Sequence, residues 1–249
     1  MSLKGIIFDK DGTLFDYHSV WAPVFRVGIE DVLKSLGRSG DDQLRRALLQ
    51  LLGIGDDEVY PEGLVFKSNS LRMLSDMWIF AKRWGISYRK LFSSFKRAYH
   101  GNREALKDSL PRAKPTGNLQ LICSRLREEG YRIGLATSDH RESTDLCLDI
   151  LGIREFFDFI STYDDHYRKK PHPESFQAFC RTFQLTSDQV AVVGDAVVDM
   201  RYGKRSRAGY TVALLTGSGD IKSLSRYAHA VYPDLDGLLT DPIIFPPRR

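Results

Sequence analysis

Acidic side chains recur in this chain where apolar runs break off. Gly5-Ile6-Ile7-Phe8 stops at Asp9-Lys10-Asp11-Gly12-Thr13, and Leu135-Ala136 stops at Thr137-Ser138-Asp139. A third run, 190–193, stops at Gly194-Asp195, with Asp199 about one turn further on. Asp9 and Asp11, two apart, start on the same side of an extended chain. Lys169-Lys170-Pro171-His172-Pro173 precedes the third run. Four carboxylates in one crevice repel one another and cannot all stay ionised unless a cation or a lysine offsets them. The donors are oxygens, without clustered Cys or His, so the matching ion is hard and most simply Mg²⁺. A metal among carboxylates invites phosphate, and the backbone N–H groups of Gly12 and Thr13 are expected to take its remaining oxygens. Such a set serves phosphoryl transfer.

These residues need elements to bring them together. A short apolar run halted by polar residues and glycine reads as a buried strand and a turn. Strands are expected at 5–8, 131–135, 157–160, 190–193 and 211–215, with a last one at 230–232. A helix at 116–129 ends at Gly130, and another runs through Leu146 and Ile150 to Gly152. Alternation of strands and helices implies an α/β fold with a Rossmann-like parallel sheet, whose ligands bind beyond the carboxyl ends of the strands. The stretch between the first and second strands has a different period. Trp21, Phe25, Val32 and Leu36 recur at helical spacing, and Asp41 opens a stripe of Leu44, Ala47, Leu48 and Leu51. Leu71, Leu74, Trp78 and Ala81 form a third stripe. Leu91, Phe92, Phe95 and Tyr99 form a fourth, after a cap at Ser87. The organisation expected is an α/β core of 1–16 and 116–249, with an inserted α-helical domain at 17–115.

The chain has 249 residues, 42% apolar and 27% charged, which excludes disordered, collagen-like and coiled-coil classes. No stretch approaches the roughly 18 apolar residues of a membrane span, so no membrane partner is expected. The opening Met1-Ser2-Leu3-Lys4 lacks the apolar core of a signal peptide. Three separated cysteines, Cys123, Cys147 and Cys180, suit a reducing, cytoplasmic setting. Lysine and arginine exceed aspartate and glutamate by 36 to 32, a net charge of +4. Ten of the basic residues fall within 82–114, interleaved with Trp84, Tyr88 and Tyr99. Helical spacing and the acidic residues at 41–42 and 56–58 make this first a solvated face and second a field that steers an anionic substrate. A nucleic-acid surface ranks last.

In these motifs the sequence resembles the haloacid dehalogenase (HAD) superfamily. Residues Phe8-Asp9-Lys10-Asp11-Gly12-Thr13-Leu14-Phe15-Asp16 match its first motif and Leu135-Ala136-Thr137-Ser138 its second. Lys170-Pro171-His172-Pro173 is similar to the third, and Val193-Gly194-Asp195 through Asp199 to the fourth. The insertion is similar to the mobile helical cap of the phosphoglycolate phosphatase and β-phosphoglucomutase branch. The resemblance implies that Asp9 attacks phosphorus and becomes an aspartyl-phosphate, while Asp11 gives and then takes a proton. It implies Mg²⁺ between the Asp9 carboxylate, the Asp11 backbone carbonyl and Asp195. Asp199 is to hold either a metal-bound water or Lys170. Thr137 and Ser138 are assigned to phosphate binding, and Lys170 to both phosphate and Asp9.

Simpler readings compete at several positions. Asp139 reads first as a helix cap, and Asp199 could serve as one. His166 and His172 read as loop residues, since nothing pairs with them at metal spacing. Lys10 stands where the family's residue is more often apolar, and as a strand-end residue it is expected to face away from Asp9. The activity implied is a Mg²⁺-dependent phosphatase acting on a small phosphate ester, phosphoglycolate-like or a sugar phosphate. A phosphomutase fits the same motifs. Dehalogenase and phosphonatase relatives lack the second aspartate of the first motif, which this chain keeps as Asp11. A non-catalytic binding module would be signalled by a lost nucleophile or metal ligand, and none is missing.

Overall fold

The computed structural model describes residues 2–55, 60, 62–66, 70–101 and 103–247. The chain divides into two compact units, Met1–Asp16 with Lys114–Arg249, and Tyr17–Ala113. Asp56, Asp57 and Glu58, part of the acidic offset noted above, lie outside the described residues, as does the side chain of Tyr99.

The regular elements among the described residues of the second unit are helices, with α1 (Tyr17–Leu36), α2 (Asp42–Leu52), α3 (Ser70–Arg83), α4 (Tyr88–Gly101) and α5 (Arg103–Ser109) the α-helices. Asp41 caps α2 by accepting from the Leu44 N–H at 2.9 Å. Gly53 closes the helix in the left-handed region at φ 93. Ile29, Val32, Leu33, Leu44, Leu48 and Leu91 lie at the centre of its core. The third apolar stripe is placed differently from expectation. Met77, Phe80 and Ala81 are buried, whereas Leu71 is 77% and Trp78 54% exposed. Helix α3 carries apolar residues on two faces, and packing against its neighbours selects the one bearing Phe80. The basic residues of 82–114 whose side chains are described are all exposed, as a solvated face requires.

The first unit begins with β1 (Gly5–Phe8) and continues with α6 (Leu119–Glu128), β2 (Arg132–Ala136), α7 (Arg141–Ile150) and β3 (Phe159–Ser161). It is completed by α8 (Glu174–Phe183), β4 (Val190–Gly194), α9 (Val197–Ser206), β5 (Tyr210–Leu214), α10 (Ile221–Leu224) and β6 (Ala230–Tyr232). The six strands form one parallel sheet in the order β3-β2-β1-β4-β5-β6. β1 and β4 are buried along their whole length, as central strands covered on both faces must be. Helix α6 starts three residues later than its apolar pattern suggests. Asn118 is its cap, accepting from the Leu121 N–H at 3.1 Å, and Thr116 is instead buried.

The register sets up the site. Phe8 lies opposite Leu135 on β2 and Val193 on β4. The residues just beyond these three strands therefore emerge at one level. Successive strands are added on one side of β1 up to β3 and on its other side from β4 onward, and ligand crevices in doubly wound sheets form at such a point of reversed order.

Candidate active site

Asp9 leaves β1 at this reversal, its N–H donating to the Val193 carbonyl at 2.9 Å. Lys170, from the segment between β3 and α8, reaches it from the side. Its Nζ lies 2.5 Å from Asp9 Oδ1 and 2.6 Å from Asp199 Oδ1. Lys169 is exposed and sits over the Tyr163 ring instead. Asp199 is the third residue of α9, where a carboxylate can reach back over the helix start. Its Oδ2 accepts from the Ala196 N–H at 3.1 Å, so one side chain caps α9 and holds Lys170.

Asp195, just beyond β4, is 4% exposed and held on both oxygens. Oδ1 accepts from Thr13 Oγ1 at 2.9 Å, and Oδ2 from the Ser218 N–H at 3.0 Å. The segment after β5 supplies that second donor and is fastened by Thr216 Oγ1, which donates to the Gly12 carbonyl at 2.6 Å. Two glycines make room. A Cβ on Gly217 would lie 1.8 Å from Asp195 Oδ2, and one on Gly12, already at φ +81, would lie 2.7 Å from Asp195 Cγ. The bracing segment Thr216–Gly219 was not among the expected site residues, because a Thr-Gly-Ser-Gly run carries the signal of an ordinary loop.

Two groups have partners other than those expected. The Gly12 N–H donates to the Phe15 carbonyl at 3.0 Å and the Thr13 N–H to the Lys10 carbonyl at 3.3 Å. These donors close the turn that follows β1, and the Thr13 hydroxyl serves Asp195. Asp139 is likewise no helix cap. The cap position of α7 is His140, and Asp164 from a separate loop accepts the Arg141 N–H at 2.7 Å. Asp139 Oδ2 instead lies 3.0 Å from Lys10 Nζ. Lys10 carries no exposed surface, and its amine also donates to Asp11 Oδ1 at 2.9 Å. Thr137 is buried at the end of β2, its Oγ1 accepting from the Asp139 N–H at 3.1 Å, while Ser138 is exposed.

The electrostatics follow from this crowding. Burial pushes the Asp9 carboxyl up to about 6, with Asp199 adding to the rise and Lys170 opposing it. Burial also raises Asp195 well above the usual carboxylate range, and the charges of Asp9 and Asp199 push the same way. Burial alone would lower Lys170, but Asp199 and Asp9 outweigh it and hold the ammonium charged. One oxygen each of Asp9, Asp195 and Asp199 lies within 4.8 Å of the others. Three carboxylates and one ammonium leave two negative charges, which a divalent cation would balance. The donors are all hard oxygens, as Mg²⁺ prefers. The side chain of Asp11 stands apart from this trio, against Lys10. His172 faces Glu174 at 3.8 Å, and among the described residues no histidine joins a metal-type cluster.

Comparison with known proteins bears on the same residues. The family described as haloacid dehalogenase-like hydrolase matches residues 3–207, which include every motif discussed above. The chain belongs to this hydrolase family. Its HAD relatives include the pyrophosphatase PpaX of Bacillus cereus (strain Q1), 24% identical over 206 residues that cover 83% of this chain and 81% of the relative. Phosphonoacetaldehyde hydrolase of Bacillus cereus is 28% identical over 229 residues, covering 89% and 79%. Among solved structures, a predicted phosphoglycolate phosphatase from Haemophilus somnus 129pt superposes with a TM-score of 0.69. It covers 96% of this chain and 97% of its own at 19% identity, a likeness of fold. The HAD core thus supplies a parallel sheet whose strand ends carry Asp9, Asp195 and, through α9, Asp199. No helix among the described residues is long and apolar enough to cross a membrane.

Proposed function

We propose that this chain is a Mg²⁺-dependent phosphatase that hydrolyses a small phosphate monoester through an aspartyl-phosphate. The observation that carries the reading is Lys170 Nζ set between Asp9 at 2.5 Å and Asp199 at 2.6 Å, beside the buried Asp195. A carboxylate pinned by an ammonium keeps one oxygen fixed and turns the other to an incoming phosphorus. Asp9 attacks phosphorus and the bond to the ester oxygen breaks, the departing oxygen taking a proton from Asp11. Water then attacks the same phosphorus, gives its proton to Asp11, and frees Asp9 as phosphate leaves. Lys170 offsets the negative charge of the phosphoryl oxygens during both displacements.

Mg²⁺ would be held by the carboxylates of Asp9 and Asp195 and the backbone carbonyl of Asp11, with Asp199 adjoining. When bound it would neutralise phosphate charge and align the attack. The burial that raises Asp9 and Asp195, with the repulsion from neighbouring carboxylates adding to it, supports this assignment, since a dication would favour the ionised form of both. Relatives act, by name, on pyrophosphate and on phosphonoacetaldehyde. A phosphorus-centred substrate here accords with both, and a phosphoglycolate-like or sugar phosphate is the class proposed. The three cysteines are free and buried, which fits a reducing compartment such as the cytoplasm.

The test is a panel of metabolite phosphates assayed with Mg²⁺ for free phosphate and for sugar-phosphate isomers. Asp9→Asn should abolish turnover with its circular dichroism spectrum unchanged, and excess chelator should stop the native protein reversibly. Undiminished hydrolysis by Asp9→Asn would remove Asp9 as nucleophile, and full activity in chelator would remove the metal.

A further inference from the structure

Lys10 has no task in the mechanism above, yet it is the most enclosed charge at the site. Its amine has no exposed surface and lies 2.9 Å from Asp11 Oδ1, 3.0 Å from Asp139 Oδ2, 3.8 Å from Cys147 Sγ and 5.0 Å from the centre of the Phe15 ring. Enclosing an ammonium is unfavourable against an apolar side chain of the same length, so filling space does not account for the charge. Its surroundings show what it is attached to. Asp139 follows β2 and is itself fixed, its Oδ1 accepting from the His140 N–H at 2.7 Å and its own N–H donating to Thr137. Asp11 follows β1, the neighbouring strand. Asp139, Lys10 and Asp11 thus form a strut between two strand ends, anchored at Asp139 and gripping one oxygen of Asp11.

We propose that Lys10 is the positioning residue for proton transfer. It holds Oδ1 of Asp11, so that the carboxyl group presents its other oxygen to the ester oxygen leaving phosphorus. The proposal rests on the reading of Asp11 as the proton donor. It also names a substrate class. A strut of this kind matters where the leaving oxygen departs as an alcohol and needs a proton, as in sugar phosphates and hydroxy-acid phosphates. It matters little where the leaving group is stable as an anion.

That difference is the test. kcat/KM reports the step in which the ester bond breaks, so it isolates the donor role from the later attack of water. Lys10→Met should lower kcat/KM by about 10- to 100-fold on an alkyl phosphate and by no more than about threefold on 4-nitrophenyl phosphate. The double variant Lys10→Met/Asp139→Asn, which removes the buried Asp139 charge together with its partner, should show the same selectivity and guards against a folding defect. Asp11→Ala run beside them should be at least as selective. Equal losses on both substrates for the two Lys10 variants, with Asp11→Ala still selective, would overturn the role of Lys10 alone. A non-selective Asp11→Ala would overturn the donor assignment, and the strut with it.

Discussion

Thr13 Oγ1 donates to Asp195 Oδ1 at 2.9 Å, joining residues 182 positions apart in the chain. The bond fastens the turn beyond β1 to the end of β4, so the first and fourth motifs are registered through a side chain as well as through the sheet. Thr13→Val keeps the shape and deletes the donor, leaving a buried carboxylate oxygen short of a partner at a cost of about 1–3 kcal/mol. The melting temperature should fall, and the Mg²⁺ concentration for half-maximal activity should rise. Thr13→Ser should restore both. An unaltered Mg²⁺ titration for Thr13→Val would show that this bond does not orient Asp195.

Gly217 makes a second, independent demand on the same carboxylate. A methyl group there would sit 1.8 Å from Asp195 Oδ2, where no side-chain carbon fits. Gly217→Ala should therefore displace either Asp195 or the segment that donates the Ser218 N–H to it. Expected outcomes are a large loss of kcat with a weakened response to Mg²⁺, while Gly37→Ala, where nothing lies within 4 Å but φ is +72, should cost stability and leave kcat as it was. Both are read from initial rates across a Mg²⁺ series.

Asp9 also leaves a signature in stability. Its folded-state value of about 6 lies above the ordinary value of 3.8, so between these pH values the folded protein keeps a proton that the unfolded chain has lost. Stability then falls as pH rises, being fullest below about 3.8 and lost above about 6. Asp195 acts in the same direction. In chelator, the melting temperature of the native protein relative to Asp9→Asn should decline across this window, and added Mg²⁺ should flatten the decline. A relative melting temperature that climbs with pH would contradict the assignment.

Burial pushes the thiols of Cys123 and Cys147 up to about 12, and that of Cys180 up to about 11. Since the thiolate is the reactive form, iodoacetamide at about pH 8 should label the folded protein slowly and reach three adducts only in denaturant. Intact mass against time measures this. Rapid labelling of the native protein at all three positions would refute their enclosure.

Much of the sheet was legible because each central strand is a short apolar run cut off by polar residues. The run at 230–232 coincides with β6, while β3 lies one to two residues beyond the expected 157–160. The carboxylates were legible for the same reason, sitting where those runs end. What was hidden depends on partners far along the chain. Lys10 beside Asp139, and Thr13 beside Asp195, have no periodic signature, since their partners follow other strands. The stripe of Leu71, Leu74 and Trp78 was as regular as any other, but helical spacing does not say which of two apolar faces finds a neighbour.

The segments flanking the helical unit are tied to each other within the sheet unit. Asp16 N–H donates to the Lys114 carbonyl at 2.8 Å, Phe15 bridges to Pro115, and the Thr116 N–H donates to the Leu14 carbonyl at 3.1 Å. Closing a short linker across a seam already stitched this way adds little loop entropy. The α/β body is accordingly a chassis whose socket is closed by its own backbone, so excision or exchange of the intervening helices should leave its strand order intact.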